Sequence, residues 1–190
     1  MNKILMQKSK VVRSSGSKPV IFLATILLAG SAMAQSQSFL GDEEIGKVKL
    51  WEEVALQLPA APETDALLPF AITPKTSQSF FIDPKALTLG ADGVVRYTLV
   101  AQSRAGASST SYEGIRCNTF EKKLYAFGRA DGSWSRGRQD AWQPIFKNGA
   151  NRQHVTLAQD YFCSDGHVAG DAAQMLDRIR NGRPLSISGR

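Results

Sequence analysis

Val94-Val95-Arg96-Tyr97-Thr98-Leu99-Val100-Ala101-Gln102-Ser103 is the stretch on which the fold turns. Val95, Tyr97, Leu99 and Ala101 share one side of an extended chain, and Val94, Arg96, Thr98, Val100 and Gln102 share the other. One side is apolar and the other mixed, as in a sheet strand covered fully on one face and in part on the other. Ala91-Asp92-Gly93 supplies a turn before it, and Arg104-Ala105-Gly106-Ala107 a turn after it.

Working outward, the chain returns over Ser108 to Cys117, turns at Asn118-Thr119, and runs extended again from Lys122 to Arg129. Asp131-Gly132 then turns it into Trp134. Upstream, Ser79 to Ile82 and Leu87 to Leu89 are short apolar strands. The whole reads as an antiparallel meander. Gly128-Arg129-Ala130-Asp131-Gly132 lacks the lysine and helix context of a phosphate-binding loop and is read as a hairpin turn.

Helices are expected at both ends of the meander. From Asp42 to Leu58, Ile45, Val48, Trp51, Ala55 and Leu58 recur near a 3.6 period, with Asp42 as cap and Pro59 as stop. Pro59, Pro62, Pro69 and Pro74 stiffen the connector that follows, with Leu67, Leu68 and Phe70 packing onto the core. At the far end, Asn151 caps a helix with Val155, Ala158 and Phe162 on one face. Asp171-x-x-Gln174 makes a capping box for a second helix with the stripe Ala172, Met175, Leu176 and Ile179, closed by Asn181-Gly182 and Pro184. The fold class expected is α+β: an antiparallel β-meander sheet with an N-terminal helix and two C-terminal helices packed on one face.

The first 34 residues read as a cleaved signal peptide. Lys3, Lys8, Lys10, Arg13 and Lys18 form a basic start without an acid, Val20 to Leu28 is a short apolar run, and Ala32-Met33-Ala34 is a small-x-small cleavage site. Removing five cations and no acid from a net charge of +6 leaves about +1. The basicity belongs to the leader, so nucleic acid is not expected as a partner. Residues 35–190 are the length of one domain, without stable membrane insertion after cleavage, and the expected location is the periplasm.

Cys117 and Cys163 are the two cysteines of an exported chain and are read as a disulfide. A redox pair or a metal site are the alternatives. There is no C-x-x-C, and with His154 and His167 the ligand spacing lacks the close pairs that zinc uses. No metal and no cofactor are expected.

Asp92 to Val100, Tyr112-Glu113-Gly114-Ile115-Arg116-Cys117, Tyr125-Ala126-Phe127-Gly128, Trp134, Trp142 and Asp160-Tyr161-Phe162-Cys163 resemble the CNP1-like family, small exported proteins of Gram-negative bacteria named after a cryptic neisserial protein. The resemblance spans the chain from about Trp51 to the last helix. It implies a Gram-negative periplasm and a single domain. It supplies no catalytic residue.

Candidate chemistry is sparse, and no catalytic residue is assigned. Ser164-Asp165-Gly166-His167 collects triad residue types, but sequence neighbours rarely converge, and the stretch is read as a polar loop between helices. His154, in the first turn of its helix, is read as a surface residue. Glu113 is the one acid inside a sheet strand, with Arg96 on the neighbouring strand and Arg116 three positions along its own. The cluster Arg96, Glu113 and Arg116 is either a structural ion pair or a site that reads a carboxylate or phosphate. Tyr112, Tyr125 and Trp134, interleaved with arginines, form a possible aromatic binding surface. The function expected is a non-catalytic binding or envelope-associated module whose partner is an envelope component or a small ligand. The alternative is a periplasmic hydrolase or other enzyme.

Overall fold

The computed structural model describes residues 50–72, 76–146 and 152–185, all within the unit Lys49–Arg190. The leader 1–34, the start 35–41, Asp42 as a cap, Pro74 and Asn151 as a cap lie outside the described residues. Eight strands among the described residues form one antiparallel sheet. They are β1 Leu68–Phe70, β2 Gln78–Ile82, β3 Thr88–Leu89, β4 Val94–Ser103, β5 Ser108–Arg116, β6 Glu121–Gly128, β7 Trp134–Arg136 and β8 Gln143–Pro144. The order is β1-β2-β4-β5-β6-β7; β3 adds to β4 and β8 to β6. After the sheet come α1 (Arg152–Thr156), which runs directly into a π-helical stretch at Leu157–Phe162, then β9 (Cys163–Ser164), β10 (His167–Val168) and α2 (Ala172–Arg180).

The alternation in β4 decides the layering. Val95, Tyr97 and Leu99, with Ile115 of β5, pack against Leu157, Tyr161, Phe162, Met175 and Ile179 from the helical segments. Each such side chain moved fully from water contributes about 1.5–3 kcal/mol. Asp171 caps α2 by accepting from the Gln174 amide at 2.9 Å, and the Gln174 side chain accepts from the Asp171 amide at 3.0 Å. Arg178 of α2 donates to the Tyr161 carbonyl through Nε at 3.1 Å and Nη2 at 2.9 Å, tying the two helical segments together.

The expected α+β class does not hold. The molecule is mainly antiparallel sheet, with two short C-terminal helical segments among the described residues. The N-terminal helix is absent where it can be seen: residues 50–61 carry neither helix nor strand. They form an extended strap, and its burial shows why. Glu53, Leu56, Pro59 and Pro62 are half-buried, every third residue, while Ala55 and Leu58 (41% exposed) lie outward and Trp51 (43%) keeps one side in solvent. Three residues per turn is the repeat of a polyproline II chain. Such a chain carries Trp51 to Pro59 across about 25 Å, whereas a helix would span about 12 Å. The receptors for these side chains are spread along the sheet, so the extended form reaches them and a helix does not.

Candidate functional site

The strap lies on the sheet face opposite the helices. Strand pairing fixes what that face presents: Val94 opposes Arg116, Arg96 opposes Gly114, and Gly114 opposes Lys123. On β6 the register shifts, so that Tyr112 pairs with Ala126 and Glu113 with Leu124. Tyr125 is thus the extra residue of a β-bulge, a device that re-aims side chains. Its ring lies over Gly114, where a Cβ would stand 2.7 Å from the Tyr125 hydroxyl. Glycine at 114 makes the room that the tyrosine occupies.

Three groups on this face converge on one carboxylate. The Tyr125 hydroxyl donates to Glu53 Oε1 at 2.5 Å, Lys123 Nζ lies 2.9 Å from Glu53 Oε2, and Arg96 Nη2 lies 3.5 Å from Oε1. Arg96 is itself aimed by Asp92, to which it donates at 3.1 and 2.6 Å in a bidentate fork. Gly90 leaves space for that fork, since a Cβ there would meet Asp92 Oδ1 at 2.3 Å and Arg96 Nη1 at 2.5 Å. Lys123 also pairs with Asp140 at 2.7 Å. Burial pushes the Glu53 carboxyl up, but the Tyr125 hydrogen bond and the Lys123 ammonium outweigh it and hold it below the usual range. Burial and the Glu53 carboxylate raise the Tyr125 phenol.

Aromatic contacts extend the same face. The Arg116 guanidinium lies 4.2 Å from the Trp51 ring centroid and 4.5 Å from that of Trp142, and pairs with Glu121. Such cation–π contacts contribute about 0.5–2 kcal/mol each, more as they are desolvated. Trp51 Nε1 donates to the Asp92 carbonyl at 2.8 Å, and the Val54 amide to Asp92 Oδ2 at 2.9 Å. Leu56 packs on Tyr112, Tyr125 and Ala126, and Trp134 Nε1 donates to the Pro59 carbonyl at 2.8 Å. The aromatic residues expected from the sequence, Tyr112, Tyr125 and Trp134, do share one surface, and the strap covers it.

Glu113 is elsewhere. It faces the helices, 8% exposed, and neither Arg96 nor Arg116 is its partner. It accepts from Tyr97 Oη at 3.1 Å and Ser111 Oγ at 2.7 Å, and His154 Nε2 lies 2.7 Å away. His154 is 4% exposed, so the surface position read from the sequence is wrong; α1 lies against the sheet and carries the imidazole under it. Burial pushes the Glu113 carboxyl up, while His154 and the Ser111 hydroxyl outweigh this and hold it below its ordinary value. A carboxylate, an imidazole and a serine thus meet, but not as a hydrolytic triad. Ser111 bonds the carboxylate rather than the imidazole, and among the described residues His154 Nδ1 has no hydrogen-bond partner.

Ser164-Asp165-Gly166-His167 is the β9–β10 hairpin, with positive φ at Asp165 (50°) and Gly166 (77°), as a two-residue type I′ turn requires. Cys117 and Cys163 form a disulfide with Cα atoms 5.4 Å apart. Among the described residues no group of three or more His, Cys, Asp or Glu could hold a metal ion, and no helix is long and apolar enough to cross a membrane.

Glu53, Lys123, Asp92 and Trp51 are site residues that the sequence alone does not single out. A sequence signal exists for part of this. Glu113 and Arg116 are an odd number of positions apart on one strand, which places them on opposite faces. Nothing comparable links Glu53 to Tyr125 across 72 residues.

A sequence profile of the CNP1-like family matches residues 47–180. The chain belongs to the CNP1-like family. The match begins just before the strap and ends with α2, so strap, sheet and both helical segments are all within the family's extent. No curated protein and no solved structure matches the chain.

Proposed function

We propose that this CNP1-like chain is an exported, non-catalytic binding module of the cell envelope, and that its second sheet face takes a carboxylate. The observation that carries the reading is the Glu53 side chain, held by Tyr125, Lys123 and Arg96 together. A phenol, an ammonium and a guanidinium, each aimed by strand geometry and by room at Gly114 and Gly90, are the parts of a carboxylate receptor. Export is supported by the basic and apolar pattern of residues 1–34 and by the disulfide, a bond that persists in oxidising compartments.

Chemical rescue tests the receptor. Glu53→Ala vacates the carboxylate position and is expected to lower stability by about 2 kcal/mol, the scale of a hydrogen bond to a charged group. Propionate should then raise the melting temperature of E53A, and sodium chloride at equal ionic strength should not. E53A/K123A should respond to neither. Equal responses to propionate in the wild type, E53A and E53A/K123A would remove the carboxylate reading. Cell fractionation tests export: the protein is expected in the periplasmic extract with its N-terminus near Gln35, and an intact leader in the cytosol would overturn that location.

A further inference from the structure

We infer that the face under the strap is an acceptor groove for an extended peptide of another protein, one that carries an aromatic residue, an acid two positions on and an aliphatic residue three further on. Residues 51–59 are the resident occupant of that groove. The inference rests on the carboxylate-reading face proposed above and names the kind of ligand it takes.

The strap behaves in the structure as a ligand rather than as a layer of the fold. It precedes β1 and contributes no strand, so its departure breaks no sheet pairing. Its anchors come one at a time along an extended chain. The Trp51 ring lies on Arg116, the Glu53 carboxylate sits among Tyr125, Lys123 and Arg96, Leu56 packs on Tyr112, and the Pro59 carbonyl accepts from Trp134. The receiving groups belong to β4, β5, β6 and β7 and to the turn before β4, and strand pairing holds these in place without the strap. Arg96 in particular is oriented by Asp92, so the cation is preset. Aromatic-lined grooves of this kind read extended chains with a three-residue repeat, because such chains lose little entropy on binding.

The occupant stays open to solvent on its outer side. Trp51, Val54 and Leu58 remain more than two-fifths exposed while seated. A tethered segment acts at an effective concentration of order 1 mM, so it masks the groove from a free peptide by mass action. A partner peptide with the same anchors competes at the same receivers, and weakening the strap should unmask them. The strap is thus a built-in competitor that sets the threshold for a partner.

A labelled synthetic peptide of residues 50–60 of this chain is the probe, and full-length processed protein is the receptor. In fluorescence anisotropy, Trp51→Ala/Glu53→Ala protein should bind it at least tenfold more tightly than wild type. A peptide with glutamine at the position of Glu53 should lose at least tenfold, and adding Lys123→Ala to the receptor should abolish binding. E53A alone is the second receptor, in case the double variant does not keep its circular dichroism spectrum. Absence of binding to a folded, strap-weakened receptor overturns the inference. If propionate rescue holds while the peptide fails, the carboxylate face stands without a peptide ligand; if both fail, the face reading falls too. Dimers of wild-type protein that exchange straps, seen by light scattering, would make the occupant a second copy and overturn the choice of a different protein.

Discussion

Glu113→Ala is expected to lower stability by about 3–5 kcal/mol, the cost of taking a shared acceptor away from three buried donors or partners. The carboxylate is the acceptor for Tyr97, Ser111 and His154, and its loss leaves three buried polar groups without it. Each orphaned group costs about 1–3 kcal/mol if it stays buried, and relaxation recovers some of this. Glu113→Gln should fall between, since an amide oxygen can still accept. Glu63→Gln is the control: Glu63 pairs with exposed Lys85 among the described residues, and its loss should leave stability unchanged. The pH dependence has a definite sign. The folded-state value of Glu113 is lowered, so its contribution is fully present above the unfolded carboxylate range and is lost as pH falls through the lower, folded value. E113A should therefore flatten the acid limb of stability against pH. Urea denaturation at neutral and acidic pH measures both effects. Equal midpoints for E113A and wild type at neutral pH would show that the cluster does not hold α1 to the sheet.

The same residues show what was legible. β4, β5 and β6 could be read because a strand with one covered face writes a period of two, and because Asp92-Gly93 and Asp131-Gly132 mark turns. The capping box of α2 is a local contact, so its residues state it directly. The strap was misread for a reason that is also local. Over eight residues a repeat of three is hard to tell from one of 3.6, and Trp51, Ala55 and Leu58 mimic a buried helical stripe although all three remain exposed. What makes the segment extended is not in it. The receivers Tyr125, Lys123 and Trp134 lie 70 to 75 residues away. The partner of Glu113 was missed likewise, because His154 comes under the sheet only when α1 packs. Tyr112, Tyr125 and Trp134 sit on adjacent strands, which the turns made legible, but it is the bulge at Tyr125, which no parity rule announces, that brings the three rings onto one face.

Replacing both cysteines, Cys117→Ser with Cys163→Ser, is expected to lower stability by about 4 kcal/mol, the chain-entropy value for a loop closed by a sequence separation of 46. The enclosed chain holds β6, β7, β8, α1 and the π-helical stretch, so the staple ties the end of β5 to the element that follows the π-helical stretch. Leu157 and Phe162 are fully buried in the core between the sheet and the helical segments, an apolar contact that does not run through the sulfur atoms, so the variant should still fold. Most of the effect then lies in the unfolded chain, which gains freedom when the loop opens. Two signatures separate this from a local packing defect. The urea midpoint should fall while the slope of the transition steepens, because a more expanded unfolded state exposes more surface. Reduction of the wild type should reproduce the shift. The strap face is on the other side of the sheet, and pairing with β5 holds Lys123 and Tyr125 of β6 there, so the propionate response of E53A should survive in the cysteine-free background. An unchanged midpoint would mean that packing alone fixes the helical segments on the sheet and that the bridge adds no stability.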